Sequence, residues 1–252
     1  MKRVLLCTLA AVALLPSFGT NAVGAHRVII IRHVGHGSAT STNWAGYATK
    51  GGATFTDVKA NWIQPTAHCG SRGAKYSSFW VGIDGYTSGS VQQIGTEADC
   101  AGKNQPRYYA WWEMFPDPSN QIPSFPVRPG DSISAEVSVS GNDYTLWIKN
   151  NTTGQTFSTV QSAAGLANAN AEWVAEAPSL CLAVCQVQKL TNFGTVTFTG
   201  SYTTGDGHTG SISDTAWTND KITMTTNGGV TKAQPSALSA GGTEFSVTWK
   251  HV

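Results

Sequence analysis

Charge is scarce in this 252-residue chain: Asp, Glu, Lys and Arg together make up 12% of it. Four of the 16 basic residues, Lys2, Arg3, Arg27 and Arg32, precede Gly37 and no acidic residue does, which leaves 12 basic against 15 acidic side chains in the body. The body is mildly acidic and has no Lys/Arg cluster, which argues against a nucleic-acid partner. Beyond the N-terminus no apolar run approaches the roughly 20 residues of a membrane-spanning helix, so no membrane partner is expected either. Helical periodicity is nearly absent. Histidine is short as well: His26, His33 and His36 fall early, leaving His68, His208 and His251. The motifs GxSxG, HExxH and GxxxxGKS/T do not occur, and serine-triad, zinc-protease and P-loop chemistry go with them. No metal and no cofactor is expected.

The N-terminus is where the apolar residues concentrate. Lys2 and Arg3 precede an apolar run over residues 4–15, followed by small residues with Ala22 and Ala25 as cleavage points, the pattern of a signal peptide over 1–25. An exported chain follows. The stretch from His26 to Gly37 then combines three histidines and two arginines with an apolar run, and reads as part of a short basic pro-segment over 26–40. Residues 41–252 are left as a single domain. Cys7 departs with the signal, so Cys69, Cys100, Cys181 and Cys185 remain, an even set that favours disulfides in an exported protein. Three pairings are possible. Cys69 with Cys100 and Cys181 with Cys185 is the favoured set, because the second pair closes a small loop around residues 182–184. A zinc site using His68 lacks CxxC spacing.

From Asn43 onward the chain is rich in Gly, Thr, Ser, Val and aromatics, in short alternating runs broken by turn residues such as Gly141-Asn142-Asp143 and Thr153-Gly154. Strands are expected over 58–63, 76–83, 91–94, 108–115, 132–138, 143–150, 155–160, 171–175, 195–200, 221–225 and 244–249. Their number and the absence of a linker predict an all-β fold: a two-sheet antiparallel β-sandwich of the lectin-like jelly-roll type.

With nucleophiles scarce, carboxylates and carboxamides have to carry any reaction. Three stretches combine aromatic strands with polar residues: FWVGIDG (79–85) leading to VQQIG (91–95), YYAWWEMFPD (108–117) and NAEWVAEAP (170–178). In the last, period-two alternation puts Glu172, Val174 and Glu176 on one face. Glu113 follows Trp111 and Trp112 as a carboxylate set into an aromatic wall. Taken singly, a strand glutamine such as Gln93 or an acid such as Glu176 is an ordinary surface residue.

Together, in order, these stretches resemble the glutamic peptidases, also called eqolisins or peptidase family G1. Members carry a WVGIDG strand, a QTG strand, a YxAWYEWYP strand, an NLTTGQ turn and an AE-F/W-I-I/V-ED strand. This chain has WVGIDG at 80–85, QIG at 93–95, YYAWWEMFP at 108–116, NNTTGQ at 150–155 and AEWVAE at 171–176. The resemblance runs from the NWAGY stretch at Asn43 to about Thr199. It implies Gln93, not Gln92, as the catalytic glutamine and Glu176, not Glu172, as the catalytic glutamate, with Trp80, Asp84, Glu113 and Trp111 lining or supporting the site. Trp112 is expected to join Trp80 and Trp111 in the walls of a peptide groove. Departures from the family pattern are Tyr86 for Asp, Ile94 for Thr, Glu97 for Asp and Ala177 for Asp.

The resemblance implies a secreted, acid-acting endopeptidase that works as a monomer on protein or peptide substrates. Glu176 would activate a water and Gln93 would donate to the oxyanion. Two rivals use the same residues differently: a glycoside hydrolase with Glu113 and Glu176 as its acid pair, and a carbohydrate-binding module that needs only the aromatic surface.

Overall fold

The computed structural model describes residues 30–33, 37–70, 73–181 and 185–251, and among these every regular element is a β-strand. The expected signal peptide and much of the expected pro-segment lie outside the described residues. In chain order the strands are β1 (Ile30–His33), β2 (Ser38–Ser41), β3 (Trp44–Lys50), β4 (Phe55–Ile63), β5 (Ser78–Ile83), β6 (Val91–Cys100), β7 (Pro106–Phe115), β8 (Asn120–Gln121), β9 (Ser132–Ser140) and β10 (Asp143–Asn150). They continue with β11 (Gln155–Ser162), β12 (Asn170–Glu176), β13 (Ser179–Cys181), β14 (Cys185–Val187), β15 (Thr195–Gly205), β16 (His208–Ser211), β17 (Thr218–Thr225), β18 (Thr231–Pro235) and β19 (Phe245–Trp249).

The pairings resolve into two layers. One runs β7, β6, β5, β12, β3, β17, β2; the other runs β11, β10, β9, β4, β15, β19. Strand β18 pairs with both β17 and β19 and so stitches the layers together at one edge. Neighbours are antiparallel except β2, which lies parallel to β17 and carries β1 on its free side. The expected sandwich is present.

Alternation explains how the layers stick. Ala171, Trp173 and Ala175 of β12, Phe79, Val81 and Ile83 of β5, and Ile94 and Ala98 of β6 all point into the interlayer core, where they meet Phe198, Phe245, Val137 and Leu146 of the other layer. Burial of such side chains supplies about 1.5–3 kcal/mol each before entropy is charged. The opposite face of the first layer has its own small apolar cluster of Trp44, Trp80, Tyr86, Val91, Trp111, Val174 and Ile222. Strands of this layer are therefore buried on both faces.

Two-sided burial is why sequence patterning missed β3: WAGYATK has small or aromatic residues at its first six positions, all buried, instead of an alternation. Gly46 is required there, because a β-carbon at this position would lie 2.0 Å from the Trp173 carbonyl oxygen of β12. Trp112 also departs from expectation. It packs against the interlayer core while Trp111 faces the other way, since adjacent strand residues cannot share a face.

Cys69 and Cys100 form a disulfide as expected. Cys185 is also disulfide-bonded, and it stands opposite Cys181 in the two-stranded ribbon β13–β14. The Cys69–Cys100 bridge spans a sequence separation of 31 and ties the end of β6 to the loop after β4. Replacing both cysteines by alanine is expected to cost about 3–4 kcal/mol through the loop entropy returned to the unfolded chain. Urea unfolding checks this: a midpoint unchanged by the double replacement would mean that the bridge constrains nothing.

Candidate active site

The core-remote face of the first layer is a lattice that register alone defines. Its first row reads Glu113, Gln93, Gly82, Glu172, Ala48, Asp220 across β7, β6, β5, β12, β3 and β17. The next row on the same face reads Trp111, Gly95, Trp80, Val174, Gly46, Ile222. The third reads Tyr109, Glu97, Ser78, Glu176, Trp44. A hydrophobic row thus separates two polar ones. Trp44 and Trp80 meet edge to face, with ring centroids 4.7 Å apart.

Glycine makes room for this packing. A β-carbon on Gly95 would stand 2.3 Å from the Phe79 carbonyl oxygen and 2.5 Å from the Trp80 β-carbon, so the place beside the Trp80 ring has to be empty. Gly82 does the same between Gln93 and Glu172; its added β-carbon would crowd Trp80 at 3.0 Å and Gln93 at 3.1 Å.

Each member of the expected dyad has its own anchor. Gln93 Nε2 donates to Glu113 Oε2 at 2.6 Å. Glu176 accepts from Trp80 Nε1 at Oε2, 2.9 Å, and from Asn43 Nδ2 at Oε1, 3.0 Å. Ser41 fixes the amide of Asn43, because its hydroxyl donates to Asn43 Oδ1 at 3.0 Å and leaves the NH₂ group aimed at Glu176. All of these side chains are buried. Gln93 stands opposite Gly82 and Glu176 opposite Ser78, four residues apart along β5, roughly 13 Å of extended strand. Trp80 lies between their rows.

The other expected residues divide. Glu113 and Trp80 contact the dyad directly, and Trp111 lies in the aromatic row. Asp84 sits at the end of β5 with φ +70° and accepts from the backbone amides of Asn168 and Ala169 at 2.9 and 2.8 Å, which pins the entry to β12. It supports the strand that bears Glu176. Asn43 and Ser41 were missed as site residues; the NWAGY stretch signalled their segment without signalling their contacts. Gln92 faces away from this lattice and lines a separate cavity with Trp112 and Met114.

Most carboxylates here are held uncharged or paired. Burial pushes Glu97 well up, and neighbouring Asp99 pushes it further. Asp99 itself rises to about 6 through burial, opposed by hydrogen bonds from Glu97, the Ser77 amide and Tyr109. The two share a proton seated on Glu97. Burial, and then the charge of Asp84, hold Glu172 well above the usual range, with the Tyr86 amide opposing. Asp220 pairs with Lys50 and accepts from the Tyr86 hydroxyl at 2.6 Å; burial and that bond raise Tyr86, so it stays a donor. Among the described residues no cluster suited to a metal occurs.

Such an arrangement can hold one carboxylate and one carboxamide over a shared face without a metal or a nucleophilic side chain. Residues 42–249 match the model of the Peptidase A4 family. The chain is 31% identical to aspergillopepsin-2 of Aspergillus niger over 201 residues, covering 69% of this chain and 68% of that protein. It is also 31% identical to scytalidopepsin B of Scytalidium lignicola over 185 residues, 70% of this chain and 69% of that one. Among solved structures, scytalido-glutamic peptidase with a transition state analog inhibitor superposes with a TM-score of 0.72 at 27% identity, over 83% of this chain and 98% of that one.

The raised carboxyls make stability pH-dependent. Glu97, Asp99 and Glu172, and Glu136 of β9, which burial lifts to about 7, all bind a proton more tightly folded than unfolded. That contribution is fully present below pH 4 and is lost as pH rises toward the raised values, about 6 for Asp99 and about 7 for Glu136. The melting temperature is expected to fall between pH 4 and pH 7.5, and the fall should flatten in Glu97→Gln and Glu172→Gln. Circular-dichroism melts that show a rise over this interval would overturn the protonation pattern.

Proposed function

This chain belongs to the Peptidase A4 family, the eqolisin glutamic peptidases, and is a peptide hydrolase; on that premise we propose that it is a secreted, acid-acting endopeptidase whose dyad is Gln93 and Glu176. The observation that carries the reading is the setting of Glu176. Both of its carboxylate oxygens are met by N–H donors, from Trp80 and Asn43, and neither donor changes its protonation in acid.

For both residues to act on one carbonyl, the scissile bond has to lie over Trp80, which separates their rows. Glu176 takes a proton from a water as the water oxygen bonds to the scissile carbon. The carbonyl π electrons move to oxygen, and the second N–H of Gln93, the one not given to Glu113, donates to that oxyanion. When the intermediate collapses the C–N bond breaks, and Glu176 returns the proton to the leaving amine. An amide keeps its donor at low pH, where an imidazole is protonated on both nitrogens, so acidic operation suits this pair. Glu113 orients the carboxamide, Trp111 and Trp80 form the aromatic floor, and Asp84 holds β12 in place. The enzyme acts on protein and peptide substrates as a monomer, with no cofactor. The sugar-cleaving and sugar-binding alternatives lose their ground, because the relatives are peptidases.

Residues 1–25 act as a signal peptide, 26–40 as a pro-segment and 41–252 as the catalytic unit. Loss of 26–40 removes β1 from the edge of β2 and three of the four β2 residues from beside β17. N-terminal sequencing of the exported protein should give a start near residue 26 before acid treatment and near residue 41 after it; a start that stays near 26 removes the pro-segment from the scheme.

The dyad is tested by assaying denatured protein across acidic pH. Gln93→Ala should lower kcat/KM by about 10²–10³ through loss of the oxyanion donor. Glu176→Gln should lower it by up to about 10⁴ through loss of the general base. Full activity in either variant would make the assignment wrong.

A further inference from the structure

A cleft of about 600 Å³ opens beside the site, between residues 186–189 after the β13–β14 turn and residues 225–227 after β17. It is lined by Thr42, whose neighbour Asn43 donates to Glu176, and by Lys232 of β18. Lys232 is only 6% exposed. Its Nζ donates to the Thr42 carbonyl oxygen at 3.0 Å, and burial pulls its pKa down to about 8, so it is fully charged in acid.

One neutral carbonyl engages only one of the three N–H donors of an ammonium. Among the described residues no carboxylate pairs with Lys232, and the cleft lining contains no acid. Exposed Lys189 adds a second positive charge on the wall. Elsewhere the fold pairs its buried lysine-accessible acids: Asp220, equally buried, has Lys50. A buried cation without a counter-ion costs free energy that an anion entering the cleft would recover.

We propose that this cleft is a substrate subsite for a peptide carboxylate, with Lys232 as its charged anchor. The carboxylate comes from an Asp or Glu side chain or from the peptide C-terminus; both present the same two oxygens to the ammonium. The inference rests on the reading of Glu176 as the base, since closeness of Thr42 to Asn43 is what joins the cleft to the path of the substrate. Apart from Val187, the remaining lining groups, the hydroxyls of Thr225 and Thr226 and the amides of Gln186, Gln188 and Asn227, are polar and suit a solvated, extended peptide end.

The test compares quenched-fluorescent peptides at pH 5, where peptide carboxylates are ionised. One set carries Asp or Asn at successive positions on either side of the cleavage site with an amidated C-terminus; a second carries neutral side chains with a free or amidated C-terminus. The wild type should favour the carboxylate form at one position or at the free terminus by about tenfold in KM, and that position identifies the source. Lys232→Met should abolish the preference, and Lys232→Arg should restore it. Thermal melts of both variants confirm folding. An equal preference in wild type and Lys232→Met, or none in the wild type, overturns the subsite. Glu176→Gln separates the two readings: undiminished turnover of neutral peptides by that variant sinks the base, whereas a Lys232-dependent preference in peptide binding that survives in it leaves the subsite standing.

Discussion

Six carboxylates buried on one face of one sheet cannot all be ionised together, and the site is organised around that constraint. Glu97, Asp99, Glu113, Glu172, Glu176 and Asp220 all lie on the core-remote face of the first layer. Removing a charged carboxylate from water costs several kcal/mol unless it is paired, hydrogen-bonded or neutralised. Each solution is in use. Asp220 has a lysine and a tyrosine, Glu97 and Asp99 share a proton, and burial favours the neutral form of Glu172. A fold that requires protonated carboxyls is at home in acid.

The geometry that makes this possible is the strict period of the strand. Because alternate residues change face, the same four strands that build the interlayer core with Phe79, Val81, Ile94, Ala110 and Trp173 can present acids and indoles on the other side. Cross-strand register then sorts these residues into rows. The aromatic row does more than fill space: it keeps the Gln93 row and the Glu176 row apart, and through Trp80 it supplies one of the two donors that fix Glu176. Rigid sheet positions give the side chains little freedom to collapse onto one another, which a site on loops would not achieve.

Much of this was legible in the sequence. Alternation in NAEWVAE placed Glu172, Val174 and Glu176 on one face, and the lattice agrees. The same rule, applied to YYAWWEMF, should have separated Trp111 from Trp112; treating the adjacent tryptophans as one wall was the error. The expected strand over 91–94 extends in fact to Cys100, and its missing half contains Glu97 and Asp99. Acids in a fully buried strand run against ordinary partition, so composition alone reads them as a loop. Gln93 and Glu176 stood out only through ordered resemblance, and Asn43 and Lys232 did not stand out at all, because a single amide or lysine gains meaning only from what the fold sets against it.

The departures from the family pattern bear on which acid is left to act. An Asp in place of Tyr86 would have put a further carboxylate beside Asp220 and Glu172. The tyrosine puts a hydroxyl there that burial keeps protonated, and it donates to Asp220. Ala177 likewise places a methyl group in the interlayer core where a second acid would have followed Glu176. The first replacement reduces the charge the site has to absorb, and the second keeps charge out of the core on the opposite face. Once Asp220 is paired, Glu97, Asp99 and Glu172 are accounted for by protons, and Glu113 is engaged with Gln93, Glu176 is the carboxylate whose two oxygens are both held by neutral N–H donors from a tryptophan and an asparagine. That setting supports the proposed role of Glu176 as the base, because two neutral N–H donors hold its carboxylate in a fixed orientation.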